Sequence, residues 1–199
     1  MIAIVGGSGA GKTWLADKLQ REFGKKVTRL SLDDFYRDRS HLSEKRRSAV
    51  NFDHPRAIDW RDVGRVLGKL ATGHGACKPQ YDFATHARVQ KGEFVKPKSL
   101  LIVDGLWLLR RPAIRKLFSC RIFIECPRRL RLFRRTSRDL FERGRNSANI
   151  KRQFLRHVVP MHNRFVSPQL RWANIVVTNP NENEITDLAQ KIKTLLKQN

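Results

Sequence analysis

Residues Gly6 to Thr13 read GGSGAGKT, and no other stretch of this 199-residue chain restricts its fold as tightly. The spacing Gly6-x4-Gly11-Lys12-Thr13 is the Walker A pattern, a loop that wraps phosphate and therefore sits between a strand and a helix. Both neighbours are present. The apolar run IAIV precedes the loop, and TWLADKLQREFG follows it, with Leu15, Leu19 and Phe23 at helical spacing and Gly24 as the stop. Within the loop, Gly6, Gly7, Ser8, Gly9, Ala10 and Gly11 offer backbone N–H groups to phosphate oxygens. Lys12 reaches the β and γ phosphates, and the Thr13 hydroxyl suits Mg2+. ATP with magnesium is the ligand this pattern implies. The pattern goes no further, because ATPases, GTPases, motors and kinases share it.

The rest of the chain repeats the strand and helix alternation. VTRLSL (27–32), SLLIVDG (99–105), RIFIEC (121–126) and NIVVT (174–178) read as strands, and the uninterrupted apolarity of SLLIVDG suits the buried centre of a parallel sheet. Helices are expected after an Asp59 N-cap, over residues 106–117, from Pro127 at N1 to near Gly144, and over a last stripe of Ile185, Leu188, Ile192 and Leu195. The helix after Pro127 is expected to turn Leu130, Phe133, Leu140 and Phe141 inward and its arginines outward. Pro160 is expected to kink or end the helical segment that carries it. Tyr81 to Val95, with QKGE in its middle, reads as a β-hairpin. The expected fold is α/β: a P-loop NTPase-type parallel sheet flanked by helices, with a small β-hairpin excursion and a helical lid, in a single domain over 1–199. The excursion would cover residues 33–97.

Charge widens the set of partners rather than narrowing it. Lys and Arg number 41 against 18 Asp and Glu, a formal +23 that attracts nucleotides, nucleic acid and anionic membranes alike. The basic residues are densest from Arg128 to Arg145 and form no low-complexity tail, so nucleic acid is admissible but not favoured. No apolar run approaches the ~18 residues of a membrane span, and MIAIVGG lacks a charged leader and cleavage site. A cytoplasmic location with no membrane partner is therefore expected. Cys77, Cys120 and Cys126 have neither a pairing pattern nor metal-ligand spacing.

Several polar residues fall where ligands of open α/β sheets bind, beyond the carboxyl ends of strands. Asp33 and Asp34 follow the second strand, and either suits acid–base work or, equally, a cap or turn. Asp104 ends LLIVD, the Walker B arrangement in which a carboxylate reaches magnesium, although Asp-Gly is also a turn signal. Arg128, Arg131, Arg135 and Arg138 share one helix face. They are either a solvated basic surface or the groups that neutralise a transferred phosphoryl group, and GRNSANIKRQ reads as a closing lid.

Five segments in order, GGSGAGKT, SLDDFYRD, NFDHPRAID, KPQYDFATHAR and RRTSRDLFERGRNSANIKRQF with VVPMHNRFVSP, make the chain similar to uridine kinases, within the uridine kinase and phosphoribulokinase group of P-loop kinases. The resemblance spans nearly the whole chain, and NFDHP and YDFxxHxR are its specific parts. It implies an ATP-dependent kinase that transfers the γ-phosphate to the 5'-hydroxyl of a pyrimidine nucleoside, uridine or cytidine. By position it makes Asp33 the base, and Thr13, Asp33 and Asp104 the residues that would meet the metal. Asp53 would hold the ribose hydroxyls, while Tyr36, Phe52, Tyr81, Phe83 and His86 would surround the base. Arg135 and Gln153 would touch the nucleoside, Arg138 would serve the same region, and Lys12, Arg135 and Arg138 would neutralise phosphate charge. Arg143 and Arg145 would belong to a lid over residues 143–153. Asp104 stands where such kinases usually carry Glu, and Asn174 where they tend to have Asp. Oligomers are common in such a group. The other readings are a kinase of the same group acting on another small alcohol, and a non-catalytic nucleotide- or nucleic-acid-binding relative.

Overall fold

A computed structural model of the chain describes residues 1–48, 50–141 and 146–198. Arg143 and Arg145, with the start of the expected lid, lie outside the described residues. Five strands, β1 (Ile2–Gly6), β2 (Val27–Ser31), β7 (Leu100–Gly105), β8 (Cys120–Glu125) and β9 (Ile175–Thr178), form one fully parallel sheet in the order β2-β7-β1-β8-β9. Its central strand is apolar throughout because both faces are covered. Ile2 and Ile4 pack with Leu15 and Leu19 of α1 (Lys12–Phe23) and with Leu188 and Ile192 of α8 (Ile185–Lys197). Ala3 and Val5 point the other way, into a layer that holds Val63 and Leu67 of α3 (Trp60–Ala71) and Trp107.

Register then places the polar ends together. Ile4 lies beside Asp104 and Ser31 beside Asp104 on the other side, so the loop after Gly6, the Asp104 carboxyl and the turn carrying Asp33 emerge along one edge. Leu32 belongs to that turn, a 3-10 segment over Leu32–Phe35, so β2 ends one residue earlier than its apolar pattern suggests.

Between β2 and β7 the chain makes its excursion. A short helix α2 (Glu44–Ser48) is followed by α3, whose Asp59 cap accepts a hydrogen bond from the Asp62 N–H at 3.2 Å, as expected. Next come two antiparallel ribbons: β3 (Ala76–Lys78) pairs with β6 (Glu93–Val95), enclosing β4 (Tyr81–Asp82) paired with β5 (Ala87–Arg88). The hairpin turn is therefore not QKGE but the segment from Phe83 to His86. The Asp82 carboxylate builds it by accepting from Ala84 N at 2.8 Å and Thr85 Oγ1 at 2.7 Å.

Three other expectations are corrected. Residues 106–117 hold only the four-residue helix α4 (Pro112–Arg115). Pro112 cannot continue a helix inward, and the buried Gln169 takes the preceding backbone groups, accepting from Leu109 N at 2.9 Å and donating to Leu106 O at 2.8 Å. Pro127 precedes α5 (Arg128–Phe141) rather than opening it, and its carbonyl accepts from Arg131 N at 3.0 Å. Pro160 does not end its segment. Helical turns run from α6 (Ser147–Gln153) through α7 (Val159–Met161) to Trp172, and turns widened to π on both sides of α7 accommodate the missing donor. No helix among the described residues is long and apolar enough to cross a membrane.

Candidate active site

The phosphate loop is held by its own backbone. Gly9 and Gly11 have φ of 78° and 94°, a conformation that side-chain-bearing residues adopt only with strain. Ala10 N donates to Gly7 O at 3.1 Å, and Lys12 Nζ donates to the same carbonyl at 3.0 Å, which keeps the ammonium within the loop. Burial lowers the Lys12 pKa, opposed by Asp33 and Asp104.

Behind the loop stands α5, turned opposite to its apolar pattern. Arg131, Arg135 and Asp139 are 4%, 5% and 0% exposed, whereas Phe133 and Phe141 are 69% and 89% exposed. The inward stripe follows the i, i+4, i+8 spacing, but its partner is the phosphate loop and not an apolar layer. Arg131 lies against two loop glycines: a Cβ on Gly7 would sit 2.5 Å from Arg131 Nη1, and one on Gly9 2.3 Å from the Arg131 carbonyl oxygen. Gly9→Ala is thus expected to weaken ATP binding at least about tenfold. The left-handed conformation alone costs ~1–2 kcal/mol for a residue with a Cβ, and the overlap adds to it. Calorimetric titration with MgATP measures this.

A cavity of about 520 Å³, open mouth included, adjoins the loop, and the proposed acceptor residues converge on it. One wall is aromatic. The Phe52 and His86 rings stack at 4.4 Å, Tyr36 meets Tyr81 at 5.1 Å, and Tyr81 meets Phe83 at 5.3 Å. The Tyr36 hydroxyl donates to Phe52 O at 3.1 Å, whereas the Tyr81 hydroxyl is buried without a hydrogen-bond partner among the described residues, and its burial lifts the pKa to about 12. The opposite side is charged. Arg135 donates to Ser8 Oγ of the loop at 2.9 Å and to Gln153 Oε1 at 3.1 Å, and it pairs with Asp53 at 3.6 Å and Asp139 at 3.5 Å. Burial raises the Asp53 pKa, against the pull of Arg135. One guanidinium thus joins the phosphate loop, the cavity wall and the C-terminal end of the expected lid.

The structure separates the twin aspartates. Asp33 lines the cavity beside Ser8 and Arg138. Asp34 is tied instead to Lys78, Nζ to Oδ2 at 2.8 Å, and Lys78 also pairs with Glu93 at 2.9 Å. Asp104, at the end of β7, is buried. Desolvation pushes its pKa up to about 6 despite Lys12 and Arg29, and among the described residues its Oδ1 has no hydrogen-bond partner, only an ion pair with Arg29 Nη2 at 3.5 Å. An orphaned, desolvated carboxylate oxygen next to a phosphate loop fits a divalent cation, with the exposed Thr13 hydroxyl as the other protein donor.

The raised pKa has a sign. Folding holds a proton on Asp104 between its ordinary 3.8 and about 6, so the stability from this group is present below that window and lost as pH rises through it. A magnesium ion held by Asp104 would need the carboxylate, so MgATP binding is expected to weaken as pH falls through about 6. A pH series of MgATP affinity checks this: wild type should show the limb, and Asp104→Asn should lack it.

Asp139 and His162 are not singled out by the sequence, whereas Arg131 belongs to the arginine face that it marks. Asp139 accepts two hydrogen bonds from Arg138, at 2.9 and 2.8 Å, in addition to pairing Arg135. Its signal was available: it is the one acid between Glu125 and Glu142 in a run of arginines. His162 faces Gly7 beside Arg131, and burial, then Arg131 and Lys12, push its pKa down to about 4, so it is neutral at neutral pH.

Comparison with known proteins follows the geometry. The phosphoribulokinase / uridine kinase family model matches residues 1–186. A uridine kinase of Clostridium perfringens is 37% identical over 198 residues, covering 98% of this chain and 95% of that one. Among solved structures, a possible uridine kinase from Bacillus stearothermophilus superposes with a TM-score of 0.63 at 19% identity, over 88% of this chain and 86% of that one. Phosphoribulokinase from Rhodobacter spheroides gives 0.67 at 18% identity, over 89% and 69%. At those identities the two structures speak for the fold.

Proposed function

The chain belongs to the phosphoribulokinase / uridine kinase family, a kinase of that group, and we propose that its acceptor is the 5'-hydroxyl of a pyrimidine nucleoside, uridine or cytidine. The observation that carries this reading is the cavity, which shares Ser8 and Arg135 with the phosphate loop yet is walled by aromatic rings and contains the carboxylate Asp53. An aromatic face suits a planar base, and a carboxylate acceptor suits the two hydroxyls of a ribose. A small aliphatic alcohol would leave the aromatic wall without a role.

In this reading ATP lies along the loop with its terminal phosphate toward Asp33. Thr13 and Asp104, with Asp33 beside them, would hold a magnesium ion, which would supply charge neutralisation. Lys12 in the loop, with Arg135 and Arg138 on α5, completes the positive field around the transferred group. Asp33 orients the nucleoside hydroxyl and takes its proton, and Asp139 fixes both arginines. Positioning and electrostatics supply the acceleration, since little covalent chemistry falls to the protein. The proposed lid over residues 143–153 would bring Arg143 and Arg145, which lie outside the described residues, to the ATP phosphates. Phosphorus NMR of the product from uridine or cytidine and MgATP tests the assignment. A phosphomonoester coupled to the two 5'-methylene protons supports it, and phosphate on any other oxygen, or no product, refutes it.

A further inference from the structure

The large positive charge is not spread evenly, and much of it collects away from the cavity. No acid occurs between Asp104 and Glu125, or between Glu142 and Glu182. The fold packs these two segments together: Gln169 of the second bonds the backbone of Leu106 and Leu109 of the first, where Arg115 Nη1 also donates to Leu109 O at 2.8 Å. On the surface they share, arginines lie over aromatic rings. Arg110 and Arg164 sit 4.6 and 5.2 Å from the Phe165 ring centroid, Arg111 sits 5.0 Å from Trp60, and Arg115 and Arg171 sit 4.2 and 4.3 Å from Trp172. His54 packs edge-on against Phe165 at 4.8 Å, and after burial itself it is Arg56, Arg164 and Arg110 that lower its pKa, so these cations crowd one spot. No ion pair joins any of these arginines to an acid among the described residues.

Like charges held together without counter-charges cost stability, and ring stacking fixes the planar guanidiniums; apart from the Arg115 N–H that Leu109 O takes, their edges are turned to no acid among the described residues and suit phosphate. The chemistry of the partner follows from three features. Among the described residues the charged groups over these rings are cations alone, so the partner is anionic. Phe165 and Trp172 are seven residues apart on helical turns, about 10–14 Å, too far for one phosphate to bridge but matched by a chain of them. The rings of this face are not among the exposed large hydrophobic side chains, since Phe165 and Trp60 are buried and Trp172 is part-buried beneath its arginines, so the face presents cations and offers little to insert among lipid tails. We propose that this arginine-on-aromatic face binds the phosphate backbone of nucleic acid without regard to sequence, at a site distinct from the phosphate loop.

Fluorescence anisotropy with the full chain and a labelled mixed-sequence RNA of twenty nucleotides, titrated across potassium chloride concentrations, tests it. Four phosphate contacts contribute about −3 to the slope of log K against log salt, so Arg111→Gln/Arg115→Gln/Arg164→Gln/Arg171→Gln should flatten the slope by that amount. The same four positions changed to Lys should keep it. A control with equal charge removed, Lys25→Gln/Lys26→Gln/Lys191→Gln/Lys197→Gln, should also keep it, and saturating ATP should not displace the RNA. Kinase activity should survive the fourfold Gln change. If that variant melts early, the pair Arg164→Gln/Arg171→Gln takes its place, with an expected flattening of about 1.4. Absence of RNA binding at low salt, equal flattening by the lysine control, displacement by ATP, or tighter capture by phosphatidylserine vesicles than by RNA with the same arginine dependence would each overturn the proposal.

Discussion

Replacing Asp33 with Asn is expected to lower kcat about 10²- to 10⁴-fold, the contribution of a positioned general base, while the affinity for MgATP stays unchanged. The split follows from the geometry. Asp33 lines the proposed acceptor cavity, whereas the phosphate loop is held by Gly9, Gly11 and the Lys12 to Gly7 bond, none of which involves the Asp33 side chain. Its neighbour provides the contrast. Asp34→Asn loses an ion pair with Lys78, neither residue lining the cavity, and should retain turnover. Single-turnover rates set beside equilibrium ATP binding separate the two effects, and an Asp33→Asn enzyme that turns over normally would remove Asp33 from the mechanism.

Asp139→Ala is expected to have the largest effect on stability. The carboxylate is fully buried, accepts two hydrogen bonds from Arg138 and pairs with the buried Arg135. Removing one partner from a buried ionic cluster leaves an uncompensated charge and costs about 3–5 kcal/mol, roughly 6–20 °C in Tm for a chain of this size. Because Arg135 also reaches Ser8 and Gln153, enzyme that still folds should show a raised KM for the acceptor. Asp139→Asn, which keeps an acceptor for Arg138, should lose less. Thermal melts of the two variants measure the difference, and an unshifted Asp139→Ala melt would contradict the proposed role of the cluster.

The two variants also mark the boundary of what was legible in the sequence. The strand, loop and helix over residues 2–23 could be read because their signals are local: an apolar run, a glycine pattern, then a helical period. The same holds for the central strand ending at Asp104 and for the last helix. The orientation of α5 could not be read this way. Apolar periodicity predicts burial only where the partner layer is apolar, and here the partner is the phosphate loop, so Arg131, Arg135 and Asp139 turn inward while Phe133 and Phe141 face out. Residues 106–117 escaped for a related reason, since the backbone groups of Leu106 and Leu109 are taken by Gln169, some sixty residues along the chain. The inner ribbon turned on the Asp82 side chain, a local signal that was outweighed by the glycine of QKGE.

The acceptor side became visible only through resemblance. By residue type alone Tyr81 and Phe83 read as core and His86 as a satisfied histidine, because nothing in the linear order reveals that they share a cavity with Asp33 and Arg135. Once the fold is assembled, the residues named from the NFDHP and YDFxxHxR segments meet around one space next to Ser8.

The central claim is that this space holds a nucleoside opposite ATP. Its most direct test is kcat/KM, measured by ADP release, for uridine and cytidine beside ribulose 5-phosphate, glycerate and shikimate. The account predicts turnover of the pyrimidine nucleosides with kcat/KM above every non-nucleoside alcohol. Turnover of one of those alcohols with no activity on any nucleoside would contradict it.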